Sequence, residues 1–105
     1  MKIEFARTGG VAGVALTLTL DTETLPLEEV EHLRRLMAAA SFFDLPALLR
    51  SVNRGADRFQ YRVTVEDGNR INKVELDEAS VPEKCRPLLD YLIDSARAAR
   101  RAKRS

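Results

Sequence analysis

The chain has no tryptophan, one histidine (His32) and one cysteine (Cys85). A lone cysteine excludes any disulfide within the chain, which fits a reducing compartment. One His and one Cys are too few for a conventional zinc site. Glu28 and His32 stand one helical turn apart, but the second histidine of a His-Glu-x-x-His zinc helix is missing. Neither of the two common glycine-rich phosphate motifs occurs, and Gly9, Gly10 and Gly13 are spaced too loosely to count as one. Ser41, Ser51, Ser80, Ser95 and Ser105 have no histidine near them in sequence, so no nucleophilic triad is legible. These absences point away from an enzyme, and no cofactor, metal or small-molecule substrate is expected.

An excess of either charge is also missing. Lys plus Arg number 17 and Asp plus Glu 16, which gives no global pull toward nucleic acid. No stretch approaches the roughly 20 apolar residues that cross a bilayer. The opening Met-Lys-Ile-Glu-Phe-Ala-Arg carries an early Glu4 and no apolar run, unlike a secretory signal. A cytoplasmic location without membrane contact is therefore expected. With 105 residues, 45% hydrophobic and 31% charged, the chain suits one globular domain. That domain is expected over residues 1–96, followed by a basic, fraying tail at 97–105. The tail could touch nucleic acid or acidic lipid, but its basic residues also suit a solvated helix end, and no aromatic stacking platform accompanies it.

What is present is periodicity. Ile3 and Phe5 alternate with Lys2 and Glu4, a strand at residues 2–6. Val14, Leu16, Leu18 and Leu20 alternate with Ala15, Thr17 and Thr19, a second strand with one buried face. Between them lies Arg7-Thr8-Gly9-Gly10-Val11-Ala12-Gly13, whose glycines permit backbone conformations other residues avoid. A helix follows, with Thr24 as N-cap, Pro26 in the first turn, and Glu28 and Glu29 near its positive end. Leu27, Val30, Leu33, Leu36, Met37 and Ala40 form its core stripe. Phe42 and Phe43 follow and suit an edge of the core, and residues 47–50 suit a further helical turn. Phe59, Tyr61, Val63 and Val65 mark a third strand, Asp67-Gly68 a tight turn, and Asn72, Val74 and Leu76 a fourth strand. Ser80 and Glu83 have capping-box spacing, and Pro87 places the start of the last helix near it. Leu88, Leu89, Tyr91, Leu92 and Ala96 face inward there, with Cys85 a small packing residue near its start.

The two halves match in pattern: Leu20-Asp21-Thr22-Glu23-Thr24-Leu25-Pro26 parallels Leu76-Asp77-Glu78-Ala79-Ser80-Val81-Pro82. Each half reads strand, strand, helix. The expected fold is α+β: a four-stranded antiparallel sheet in ββαββα order, two main helices packed on one face, and a pseudo-two-fold repeat. Convergence at strand-to-helix junctions is the other reading of the match.

The segment Arg7-Thr8-Gly9-Gly10-Val11-Ala12-Gly13 resembles the Arg-Ser-Gly-Gly-Phe-Ala-Gly motif of the emfourin family. Leu25-Pro26, the Ala40-Ser41-Phe42-Phe43-Asp44-Leu45-Pro46 block, Asp57-Arg58-Phe59-Gln60-Tyr61, and Val81-Pro82 with Leu88-Leu89 extend the resemblance in order along the chain. Val11 stands where the family commonly has an aromatic. Emfourins are small cytoplasmic inhibitors of thermolysin-like metallopeptidases such as protealysin, often encoded beside their target. The resemblance implies a protein that fills the peptidase cleft.

On that reading Thr8, Gly9, Gly10, Val11, Ala12 and Gly13 form the inhibitory loop, with Val11 as apolar contact. Asp57 is a candidate carboxylate for the catalytic zinc, since zinc accepts carboxylate oxygen. The glycines also suit a wide hairpin turn or bulge, and Asp57 a turn or the start of a strand. Two other functions stand beside inhibition: an interaction module working through an edge strand, and a nucleic-acid accessory using the basic tail.

Overall fold

A computed structural model describes residues 1–10, 15–49 and 59–104. The elements run β1 (Lys2–Gly9), β2 (Leu16–Asp21), α1 (Leu27–Ala40), β3 (Leu48–Leu49), β4 (Phe59–Asp67), β5 (Arg70–Asp77) and α2 (Arg86–Arg104). Single 3-10 turns lie at Thr22–Thr24, Phe42–Asp44, Glu78–Ser80 and Glu83–Cys85.

The strands form one sheet in the order β2-β1-β4-β5-β3. β1 is antiparallel to β2 and β4, and β4 to β5. The expected four-stranded antiparallel sheet is thus corrected to five strands and mixed pairing, because β3 runs parallel to β5 with Leu48 opposite Glu75 and Leu49 opposite Leu76. The helical turn expected at 47–50 is this strand instead, and Arg50 lies outside the described residues. The reason is local hydrogen bonding. β5 would otherwise end the sheet with unpaired backbone groups; Glu75 N donates to Ala47 O at 2.9 Å. Asn72 Nδ2 holds the approach to β3 by donating to the carbonyls of Phe42 and Leu45 at 2.9 and 3.2 Å.

One face of the sheet is buried and the other is not, as strand alternation requires. Ile3, Phe5, Leu18, Val63, Val65 and Val74 join Leu33, Met37, Leu89, Leu92 and Ala96 of the helices in one core. Lys2, Glu4, Thr17, Thr19, Gln60 and Arg62 are exposed on the opposite face.

Boundaries differ from expectation where tertiary pairing intervenes. β1 continues past Ala6 to Gly9 because β4 keeps pairing with it. β2 begins at Leu16, and Val14 lies outside the described residues. α1 starts at Leu27 with Pro26 at the cap position and no side-chain cap; the Thr24 hydroxyl donates instead to Asp21 O at 2.8 Å, inside the preceding 3-10 turn. Leu27 is 72% exposed and does not join the core stripe. Ser41 ends α1 in the left-handed region (φ 50, ψ 47), its N–H returning to the carbonyls of Met37 and Ala38. Phe42 is buried and Phe43 half-buried, edge to face at 5.7 Å. Ser80 makes no side-chain cap for the turn Glu83–Cys85. α2 starts at Arg86, with Pro87 in its first turn, where a missing N–H is harmless. It remains helical to Arg104.

The β1–β2 and β4–β5 hairpins meet across the antiparallel β1–β4 pair, and β3 extends the sheet on the β5 side alone. The two hairpins consequently turn at opposite ends of the sheet.

Candidate functional site

The glycine motif occupies one of these ends, and its first residues are strand rather than loop. In the β1–β4 ladder Arg7 faces Tyr61, Thr8 faces Gln60 and Gly9 faces Phe59. β1 leaves β2 sooner, at the Arg7–Leu16 pair. Gly9 and Gly10 then take positive φ, 86° and 79°, which L side chains adopt only with strain. Gly10 also needs its missing side chain for space: a Cβ there would lie 2.6 Å from Phe59 Cε1. The Arg7 guanidinium also stacks over the Phe59 ring, 4.1 Å from its centroid. Its Nε is buried without a hydrogen-bond partner among the described residues. Phe59 is therefore gripped by Arg7 and closely approached by Gly10, and it stands two positions after Asp57.

Thr8, Gly9 and Gly10 are thus brought together with the first residue of β4. Val11, Ala12, Gly13 and Asp57 lie outside the described residues. Sequence reasoning missed the roles of Arg7 and Phe59. A usable signal existed: each belongs to one of two separate emfourin-like segments, and the pairing of Gly9 with Phe59 joins those segments.

Behind this end sits a polar clasp. The Tyr61 hydroxyl donates to Glu78 Oε2, and Arg86 Nη2 donates to Glu78 Oε1 at 3.1 Å. Burial, then the hydrogen bond to Glu78 and its charge, push the Tyr61 phenol up to about 12. The clasp ties the start of α2 to β4. Further along α2, Ala99 and Arg100 line a hollow of about 170 Å³ with Ala15, Leu16 and Thr17. α2 therefore crosses the sheet from beside Glu78 to the first residues of β2.

The opposite end is simpler. Asp67 takes Arg34 at 3.6 Å and Arg70 at 3.2 Å, and the Arg70 guanidinium lies 4.2 Å from the Phe43 centroid. Next to the glycine end, the open sheet face carries a hollow of about 120 Å³ lined by Thr8, Gln60, Arg62 and Glu75. Among the described residues no group of three or more His, Cys, Asp or Glu side chains could hold a metal, and no helix is long and apolar enough to cross a membrane.

The emfourin family model matches residues 5–93. The chain belongs to the emfourin family. Neither the curated proteins nor the solved structures yield a match. Membership carries the coarse role of the family, metallopeptidase inhibition. The matched span of this emfourin contains both segments that meet at Phe59, and it stops before the last turns of α2.

Proposed function

We propose that this emfourin inhibits a thermolysin-like zinc metallopeptidase of the protealysin kind by seating residues 8–13 in the active-site cleft, with Asp57 beside them. The observation that carries the reading is the pairing of Gly9 with Phe59, which brings the backbone on either side of two family-like segments to one sheet end. Thr8 and Gly9 are held in a paired strand, and binding residues held in place before binding lower the ordering cost, a main source of tight inhibition. Thermolysin-like clefts favour large apolar side chains beside the scissile bond, so Val11 is the proposed apolar contact. Asp57 is the proposed carboxylate for the zinc. Thr8, Gly9, Gly10, Ala12 and Gly13 shape the segment that approaches the cleft. No reaction is catalysed by this chain and no cofactor is required. Both proteins meet in the cytoplasm.

Titration of a thermolysin-like peptidase with the protein tests this. Loss of activity at near-stoichiometric micromolar concentration is expected, weakened by Val11→Asp with an unchanged circular dichroism spectrum. Full peptidase activity throughout would defeat the reading, and undiminished potency of Val11→Asp would remove the loop from it.

A second reading has its own observation. β3 covers the outer side of β5, whereas β2 pairs only with β1 among the described residues. A free edge strand can accept a partner strand. This reading expects partner capture with peptidase activity intact.

A further inference from the structure

α2 is longer than its counterpart. Across the two halves Ala40 corresponds to Ala96, both buried. α1 stops at Ala40 with a left-handed Ser41, while α2 continues to Arg104, roughly 12 Å further at 1.5 Å per residue. This overhang lies beyond residue 93, where the family match ends.

Its composition is one-sided. Residues 97–104 contain Arg97, Arg100, Arg101, Lys103 and Arg104 and no acid. Arg97, Arg100 and Arg101 are exposed, and none of the ion pairs seen among the described residues involves them. At three- and four-residue spacing they share one side of the helix. A chain of net charge +1, with 17 basic and 16 acidic residues, has here concentrated positive charge that forms no ion pair among the described residues.

Place matters as much as charge. Arg100 shares a hollow with Ala15, Leu16 and Thr17, so the overhang stands where the chain returns from the glycine segment into β2. The longer run of chain between β1 and β2 and the longer second helix meet at the same end. We propose that Arg97, Arg100 and Arg101 form the electrostatic part of the inhibitory surface and dock on an acidic rim of the bound metallopeptidase. The inference rests on the inhibitor reading above. Charges at an interface rim act mainly on the rate of encounter and on partner choice. Arginine suits carboxylates through its two-pronged donor geometry. Nucleic acid fits less well: the chain is near neutral, and the hollow beside Arg100 is lined by Ala15, Leu16, Thr17 and Ala99, with no ring to stack on a base.

The test is the association rate with a thermolysin-like peptidase that the wild-type protein inhibits, followed by stopped flow across a sodium chloride series. The rate should fall roughly tenfold between low salt and half-molar salt. Combined Arg97→Glu, Arg100→Glu and Arg101→Glu should lower the low-salt rate at least about tenfold and abolish the salt dependence. Combined Arg→Lys replacements at the same positions should keep both. A salt-independent wild-type rate overturns the proposal without needing any variant. So does a charge-reversed protein that associates as fast as wild type. Fluorescence anisotropy against poly-glutamate and a duplex DNA oligonucleotide separates the partner classes: salt-sensitive poly-glutamate binding lost in the Glu variant supports the proposal, and preference for DNA overturns it. Failure of the wild-type protein to inhibit at all defeats the inhibitor reading instead, and the anisotropy arms still report on the arginine face.

Discussion

The β1–β2 and β4–β5 hairpins join along the β1–β4 pair and end in different ways. β4–β5 stays paired up to Asp67 and Arg70 and closes through Gly68 and Asn69. β1–β2 stops pairing at Arg7 and Leu16, while β1 goes on with β4 to Gly9. The second hairpin shows how little turn the architecture requires. The first keeps extra chain and roots it in a neighbouring strand. Gly68 and Gly10 express the same contrast in single residues. Both have positive φ, 64° and 79°, but a Cβ on Gly68 meets nothing within 4 Å, whereas one on Gly10 meets the Phe59 ring at 2.6 Å. One glycine serves a tight turn; the other serves a positive-φ bend and a close approach.

Gly10→Ala breaks the comparison hardest. Left-handed strain of about 1 kcal/mol adds to displacement of a ring held by Arg7, an overpacking cost of about 2 kcal/mol. Urea midpoints should show a loss of roughly 3 kcal/mol in all, together with weakened inhibition. Adding Phe59→Leu should recover part of the stability, because the obstructing ring is gone. A Gly10→Ala loss no larger than that of Gly68→Ala would mean that Phe59 is not gripped.

Tyr61→Phe sharpens the contrast next, since the Arg34–Asp67–Arg70 cluster at the opposite end is made of exposed ion pairs rather than a buried phenol. The hydrogen bond to Glu78 involves a charged acceptor, so its removal should cost about 1.5 kcal/mol near neutral pH. The pH dependence has a definite sign. The folded phenol titrates at about 12 against an ordinary 10.0, so between these values the unfolded chain releases a proton that the folded chain retains. Its contribution is complete below about pH 10 and disappears as pH rises toward 12. Urea midpoints of wild type and Tyr61→Phe should therefore converge from pH 9 to pH 11. A constant gap would show that burial and Glu78 do not hold the proton in place.

These particulars also explain what could be read from the sequence. Asp67-Gly68 was legible because a tight turn is a local demand on two adjacent residues. The strand faces and the helix stripes were legible through their periods. β3 was not, because Leu48 and Leu49 are held by backbone bonds to β5 that leave no periodic trace. Nor was the grip on Phe59. It depends on the register of β1 against β4, which is set across a long stretch of intervening chain. The motif itself was visible, but its division into strand residues Arg7, Thr8 and Gly9 and the left-handed Gly10 needed that register. The clasp of Tyr61, Glu78 and Arg86 hid for the same reason: its members lie on a strand, a 3-10 turn and a helix.

Gly68→Ala measures the plain turn. With open space around the added methyl, backbone strain is the whole effect, about 1 kcal/mol. Gly68→Asn should lose less, since asparagine tolerates the left-handed region. Inhibition should be unchanged in both, because this turn stands at the far end of the sheet from Gly10.

The smallest effect belongs to Asp67→Asn, which removes the partner of both Arg34 and Arg70. The arginine side chains are 54% and 61% exposed and the aspartate 21%, so water screens both pairs and the expected loss is about 0.5 kcal/mol. High salt should erase most of it, since exposed pairs are screened within a Debye length of a few ångströms near one molar salt. Arg70 should keep its place over Phe43 without the carboxylate, because that contact does not involve Asp67. If the loss instead exceeds about 1.5 kcal/mol and resists salt, the Asp67 end is a built polar site like the clasp at Tyr61. The contrast between a plain turn and an elaborated one would then have to be redrawn.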